Sequence, residues 1–102
     1  AAGEAHSDAR AGKRLAAAAH TLRDATDYML GASREDALAG ASEYLMLAGD
    51  VAGGALVARG LARHASDEQA RLFSFYAETV LARAAGRLTA IRVGAAALSV
   101  VS

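Results

Sequence analysis

The three histidines are the residues of this sequence best suited to holding a metal ion or moving a proton. They are His6, His20 and His64. A two-histidine metal site on a helix needs ligands three or four residues apart, and no two of these lie that close together. The sequence also has no cysteine to complete a zinc site. We therefore predict no metal site and interpret the three histidines as surface residues.

Serine and carboxylate residues do not form a catalytic set in the sequence either. No serine lies in a Gly-x-Ser-x-Gly turn, and Ser74, between two phenylalanines, reads as an ordinary helical residue. The acid pairs Glu35-Asp36 and Asp67-Glu68 each fall at the start of a predicted helix, where capping and the helix dipole explain them. We predict no catalytic residue in this chain.

Asp50 and two arginines are the charged residues that most need an explanation. Asp50 lies in the most apolar segment of the chain, and an isolated buried charge costs on the order of several kcal/mol. Two solutions remain open, a structural pair with an arginine or a solvated position in line with Glu43. Arg83 and Arg87 are four residues apart on one helical face, which suits phosphate and makes them candidate cofactor-binding residues. A solvated face or interdomain salt bridges are the alternative for this pair.

The composition predicts that helices position all of these residues. Of the 102 residues, 29 are alanine, the strongest helix former, and none is proline, the strongest helix breaker. The length suits one domain. The formal net charge of zero provides no field for nucleic acid or an anionic membrane, so we expect neither partner. The absence of cysteine and of an apolar leader is compatible with a cytoplasmic location, which we expect.

Two short Gly/Ser segments, 31–33 and 64–66, divide the chain into three predicted helices, over residues 8–30, 34–63 and 67–98. Loops this short require neighbouring helices to be antiparallel. The expected fold is therefore all-α, an antiparallel up-down bundle of three long helices in a single domain, 1–102. Because the sequence starts with alanine rather than methionine, we expect it to be a fragment of a longer chain. Dimerisation or the parent domain would then complete the bundle.

Four residues are predicted to mark the helix ends. Ser7 is the expected N-cap of the first helix, and Gly31 is expected to end it in a left-handed conformation. Ser33 is the expected N-cap of the second helix. The third begins with Ser66-Asp67-Glu68-Gln69, which matches a capping box.

The second helix is apolar around most of its circumference. Only Glu43, Asp50 and Arg59 are charged between residues 37 and 62. These charges and the many small residues argue against a membrane span. Two companion helices cannot cover such a helix completely, so we predict a homodimer. The predicted interface residues are Leu45, Leu47, Val51, Leu56, Phe73 and Tyr76.

Gly49 and Gly53 lie inside this helix, where each glycine costs about 1 kcal/mol relative to alanine. With Ala48 and Ala52 beside them, they would form a smooth strip that lets another helix backbone approach closely. We therefore predict a helix-packing contact at these four positions. No strand precedes the glycines, so they do not form a phosphate-binding loop.

The second and third helices resemble a known family. The second reads YLMLAGDVAGGALVARGLA over residues 44–62, and the third contains Phe75-Tyr76-Ala77-Glu78. Together they resemble the C-terminal domain appended to a subgroup of acyl-CoA dehydrogenases, over about residues 10–102. That family usually carries a proline soon after the Phe-Tyr-Ala-Glu run, where this sequence has Ala82.

The resemblance implies a structural role for this chain. In the family the flavin, the acyl-CoA thioester and the catalytic glutamate belong to the preceding domains, so no catalytic residue carries over. We expect FAD in the parent protein, none in this chain, and contact with the dehydrogenase core of the parent. Two other classes stay open, a stand-alone helical self-association module unrelated to flavin chemistry and an amphipathic protein that coats a surface through its first helix.

Overall fold

The structure, a computed structural model, describes the backbone of residues 2–101 and the side chains of residues 9–93. Within that range the chain forms helices α1 (Ala2–Gly31), α2 (Arg34–Arg63), α3 (Asp67–Thr79) and α4 (Ala84–Val101). A 3₁₀ turn, Leu81–Arg83, joins α3 to α4, and the described backbone contains no strand. The predicted all-α fold is confirmed.

The helices form an elongated antiparallel bundle. A helix of 30 residues is about 45 Å long, and the molecule measures 55 × 20 × 16 Å, so α1 and α2 lie along its long axis. Only two residues join α1 to α2 and three join α2 to α3, so the chain reverses direction at each junction. α3 and α4 together form the third long arm, and α2 packs most extensively against α4.

Residues seven positions apart build the core on all three arms. Those on α1 are Ala11, Ala18 and Ala25; those on α2 are Gly40, Leu47 and Gly54; those on the third arm are Ala77, Ala84 and Ile91. All are buried. A repeat of seven is the spacing of coiled-coil packing, and small residues at most of these positions allow the backbones to approach closely.

The N-caps of the second and third arms are confirmed. The Ser33 hydroxyl accepts a hydrogen bond from the backbone N–H of Asp36 at 3.2 Å, and the Ser66 hydroxyl accepts one from that of Gln69 at 3.1 Å. The C-terminal end of α1 lies where it was predicted, within one residue, but the predicted start of α1 and the predicted conformation of Gly31 are wrong. Helix α1 begins at Ala2, so Ser7 lies inside it. Gly31 is the last residue of the helix and has no positive φ, so the two-residue connection to α2 forms without a left-handed residue.

The third arm was predicted as one continuous helix and is interrupted in the structure. At the interruption Arg83 N–H donates to the Val80 carbonyl at 3.1 Å, an i→i−3 bond that tightens the chain locally. The Thr79 hydroxyl donates to the Phe75 carbonyl at 2.7 Å, a back-bond that often bends helices. The tighter turn coincides with burial of Leu81, which is 3% exposed.

The glycines that pack in the core are not the pair predicted from the sequence. Gly40 and Gly54 are buried, and an added Cβ would meet Ile91 at the first and Leu15 and Leu81 at the second. Gly53 packs under Tyr76, as expected of a packing position. Gly49 is exposed with no atom near its missing Cβ, so it makes no packing contact within the chain.

Candidate functional site: an ion cluster between α2 and α4

Arg87 of α4 binds two carboxylates of α2. Its Nε donates to Asp50 Oδ2 at 2.8 Å, and its Nη1 donates to Glu43 Oε2 at 3.0 Å. The two acids are seven residues apart on α2, which places them on one face, so a single guanidinium reaches both. The Arg87 side chain is 14% exposed and that of Asp50 is 20% exposed. Of the two solutions left open for Asp50, the arginine pair is therefore confirmed.

Tyr76 of α3 extends the cluster to the third arm. Its hydroxyl donates to the backbone carbonyl of Asp50 at 2.6 Å, and its ring lies against Gly53. Burial, followed by the nearby charge of Asp50, raises the pKa of the Tyr76 phenol. Burial acts to lower the pKa of Arg87, but the hydrogen bonds to Asp50 and Glu43 outweigh it, and the net pKa is raised. Arg87 is thus held as a cation and Tyr76 as a neutral donor.

The arrangement of this cluster suits holding helices together through hydrogen bonds and ion pairs, rather than transferring protons. Its arginine is fixed in the charged state by two acids, and its tyrosine is fixed in the neutral state. A general acid or base needs a pKa near the working pH, and both of these shifts move away from neutrality. The cluster instead holds α2, α3 and α4 together at the middle of the bundle.

Arg83 and Arg87 share an open groove but do not act as a pair. The groove has a volume of about 490 Å³. Its lining residues are Glu43, Ala82, Arg83, Gly86, Arg87 and Ala90. Arg87 is already paired with two acids, and the Glu43 carboxylate lies in the same groove. The geometry therefore does not assemble the two-arginine phosphate site that the spacing suggested. Arg83 is exposed in the 3₁₀ turn.

The Phe75-Tyr76-Ala77-Glu78 run has an identifiable packing role at three of its four positions. Tyr76 belongs to the cluster, and Ala77 is fully buried in the core. Glu78 Oε1 accepts a hydrogen bond from Arg14 Nε at 3.2 Å and forms an ion pair with Arg10, whose Nε lies 2.9 Å away, so Glu78 links α3 to α1. Phe75 is 67% exposed. Sequence reasoning identified the run but not its cross-helix partners, because spacing along one helix does not show which residue of another helix lies opposite.

The predicted interface residues divide into two groups. Leu47 is fully buried and Phe73 is 5% exposed, so neither lies on an outer face, and these two predictions are corrected by the packing. Val51 and Tyr76 are half-buried against the core. Leu45 and Leu56 are 68% and 67% exposed.

In the predicted helix-packing strip, Ala52 is exposed like Gly49, and Ala48 is half-buried like Gly53.

Among residues 9–93, no three metal-ligating side chains come together. His20 lies 3.8 Å from Asp24 on the surface of α1, and His64 is the C-cap of α2. The side chain of His6 lies outside the described residues.

By length and apolar composition alone, α2 meets the requirement for crossing a membrane. In the structure one face of α2 lies in the core, and 17% of its apolar window is buried inside the bundle.

The fold and the cluster define a helical packing domain. Among known protein families, the chain matches the one described as acetyl-CoA dehydrogenase C-terminal like, over residues 2–101, and it belongs to that family. No curated protein and no solved structure matches the chain. The 3₁₀ turn spans Ala82, where the resemblance places a proline, so the interruption forms in this chain without one.

Proposed function

We infer that this chain is the non-catalytic assembly domain of an acyl-CoA dehydrogenase-like flavoprotein. The observation that carries the proposal is the family match over residues 2–101. In this proposal the parent chain binds FAD and the acyl-CoA, and the helical domain packs against the dehydrogenase core and joins subunits into a homodimer. Its place in fatty acid metabolism follows from the same family, and its cytoplasmic location stays a prediction from the sequence.

Two features of the described residues support an assembly role. Two groups of charged side chains link different helices, namely Arg87 with Asp50 and Glu43, and Glu78 with Arg10 and Arg14. Large apolar side chains remain exposed on α2, and such surface is typical of a region covered by another protein surface. A packing domain with an uncovered apolar face suits assembly better than chemistry.

The stand-alone self-association module remains the second candidate. The exposed leucines of α2 favour it equally, because they require a covering surface whether or not a dehydrogenase core is attached. The surface-coating protein is less well supported. Ala11, Ala18 and Ala25 of α1 are at most 2% exposed, so the apolar stripe of that helix is occupied inside the bundle.

The full-length product of the gene that encodes the chain tests the proposal. We expect that product to carry FAD and to reduce an electron-acceptor dye in the presence of an acyl-CoA. We expect the 102-residue chain alone to retain no flavin after gel filtration and to reduce no dye. A gene product without a dehydrogenase core would contradict the proposal and favour the stand-alone module, and flavin retained by the isolated chain would contradict the non-catalytic role.

A further inference from the structure

A single exposed stripe runs along α2 on the side opposite its buried line. At 100° per residue, the stripe is centred half a turn away from Leu47. Its residues are Leu38, Leu45, Gly49, Ala52 and Leu56, and all five are exposed. Leu38, Leu45 and Leu56 are each at least 67% exposed. The two residues between Leu45 and Leu56 on this stripe are small, so the surface has a shallow centre with a leucine on each side.

The stripe has the same pattern in both directions along the helix. Read forwards, the residues are Leu45, Gly49, Ala52 and Leu56, at spacings of four, three and four. Read backwards from Leu56, the spacings are again four, three and four, and the order is again a leucine, two small residues and a leucine. A two-fold interface places one patch against an identical patch in the opposite direction, so its pattern must read alike both ways. Aligned antiparallel, Leu45 of one copy faces Leu56 of the other, and Gly49 faces Ala52.

The charges at the two ends of α2 favour the same orientation. The first turn contains Arg34 and the acids Glu35 and Asp36, a net charge of −1, and the last turn contains the base Arg63. In the antiparallel alignment Arg63 of one copy lies about one helical turn from Glu35 of the other, since Arg63 faces Leu38. A parallel alignment would instead place Glu35 beside Glu35. Opposed helix dipoles also favour the antiparallel arrangement.

We propose that the α2 stripe is a self-docking surface on which a second copy of this chain binds with its α2 antiparallel, Leu45 against Leu56 and Gly49 against Ala52. The inference rests on the proposed assembly function and specifies its partner, orientation and register. The exposure of Gly49 then has a purpose that the isolated bundle does not supply, since a glycine there lets two helix backbones approach across the two-fold axis.

Single-cysteine variants test this register, because the natural chain has no cysteine. Leu45→Cys and Leu56→Cys are purified separately, then mixed, and disulfide formation under mild oxidation is followed by non-reducing gel electrophoresis. A disulfide needs Cα atoms within about 7 Å, whereas each cysteine lies about 16 Å along the axis from its own equivalent. We expect the mixture to cross-link about tenfold more than either variant alone, as the register requires. Leu56→Cys mixed with Ala19→Cys, an exposed position on α1, is the control for random collision.

Two outcomes would overturn the proposal. Cross-linking of Leu45→Cys with itself would show a parallel pair or a different antiparallel register, and a mixture that cross-links no more than the Ala19 control would show that a second α2 does not cover the stripe. Neither readout involves flavin. A failed cross-link would therefore not contradict the proposed dehydrogenase function. A gene without a dehydrogenase core would likewise not contradict an observed cross-link between two copies of α2.

Discussion

Arg87 connects two carboxylates of α2 to α4 with one guanidinium. Because Asp50 is 20% exposed and Arg87 is 14% exposed, the pair is shielded from water more than an ordinary surface pair. An exposed ion pair contributes about 0 to 1 kcal/mol, whereas removal of one partner of a buried pair costs about 3 to 5 kcal/mol. The partly exposed cluster should fall between these limits.

The cluster predicts that alanine substitutions of two neighbouring arginines lower the free energy of unfolding by different amounts. Arg87→Ala leaves Asp50 half-buried without its partner, and we expect a loss of about 1 to 3 kcal/mol in the free energy of unfolding. Arg83→Ala removes an exposed side chain of the same type and should change the free energy of unfolding by less than about 0.5 kcal/mol. Urea unfolding followed by circular dichroism measures both. If Arg87→Ala changes the free energy of unfolding by less than about 0.5 kcal/mol, as expected of Arg83→Ala, the cluster contributes no measurable stability.

The need of Asp50 for a partner was predictable at the residue scale, but the identity of that partner was not. A carboxylate in an apolar segment predicts an ion pair from the cost of burying a charge. Which arginine supplies it depends on the position of α4 relative to α2, and the sequence contains several arginines at plausible places. The phosphate interpretation of Arg83 and Arg87 lacked the same information, since spacing does not show that Arg87 is already paired.

At the scale of the helix, α2 has two faces with different roles. One face carries Gly40, Leu47 and Gly54 into the core, and the opposite face carries the exposed stripe. Sequence periodicity predicted that α2 is apolar nearly all round, but it did not separate the two faces. That separation requires the positions of α1, α3 and α4. Gly49 and Gly53 therefore had the same interpretation in the sequence and different surroundings in the structure.

This difference predicts opposite outcomes for two glycine substitutions on α2. Gly53→Leu would displace Tyr76 from its hydrogen bond to the Asp50 carbonyl, and overpacking of this kind costs about 1 to 3 kcal/mol. A Cβ added at Gly49 meets no atom within 4 Å, and removing a helical glycine by Gly49→Leu should stabilise the helix by up to about 1 kcal/mol.

Thermal unfolding measured at low protein concentration, where association contributes least, compares the two substitutions. If Gly49→Leu lowers the melting temperature as much as Gly53→Leu does, the exposed position of Gly49 in the bundle is wrong.

The third arm shows where helix prediction was reliable and where it was not. The capping box at Ser66 fixed the start of α3 correctly, because capping depends on residues close in sequence. The interruption at Leu81–Arg83 had no such local signal in this chain. No proline or glycine marks it, and it coincides with burial of Leu81 and with the Thr79 back-bond.

At the scale of the whole molecule, the bundle is thin and incompletely covered. Its radius of gyration is 15.9 Å, against about 13 Å for a compact domain of 100 residues. A core made largely of alanine and glycine buries little area per residue. Full burial of each exposed leucine of α2 would contribute about 1.5 to 3 kcal/mol, so association is a substantial source of stability for this fold.

Sedimentation equilibrium of the purified chain, from low to high micromolar concentration, tests the assembly role most directly. We expect a concentration-dependent species of twice the 10.3 kDa of one chain. The double substitution Leu45→Ser with Leu56→Ser should abolish that species, because it makes the centre of the stripe polar. Leu72→Ser, at an exposed leucine of α3, is the matched control and should leave it intact. A wild-type chain that remains monomeric at high micromolar concentration, or a double variant that associates as well as wild type, would contradict the account.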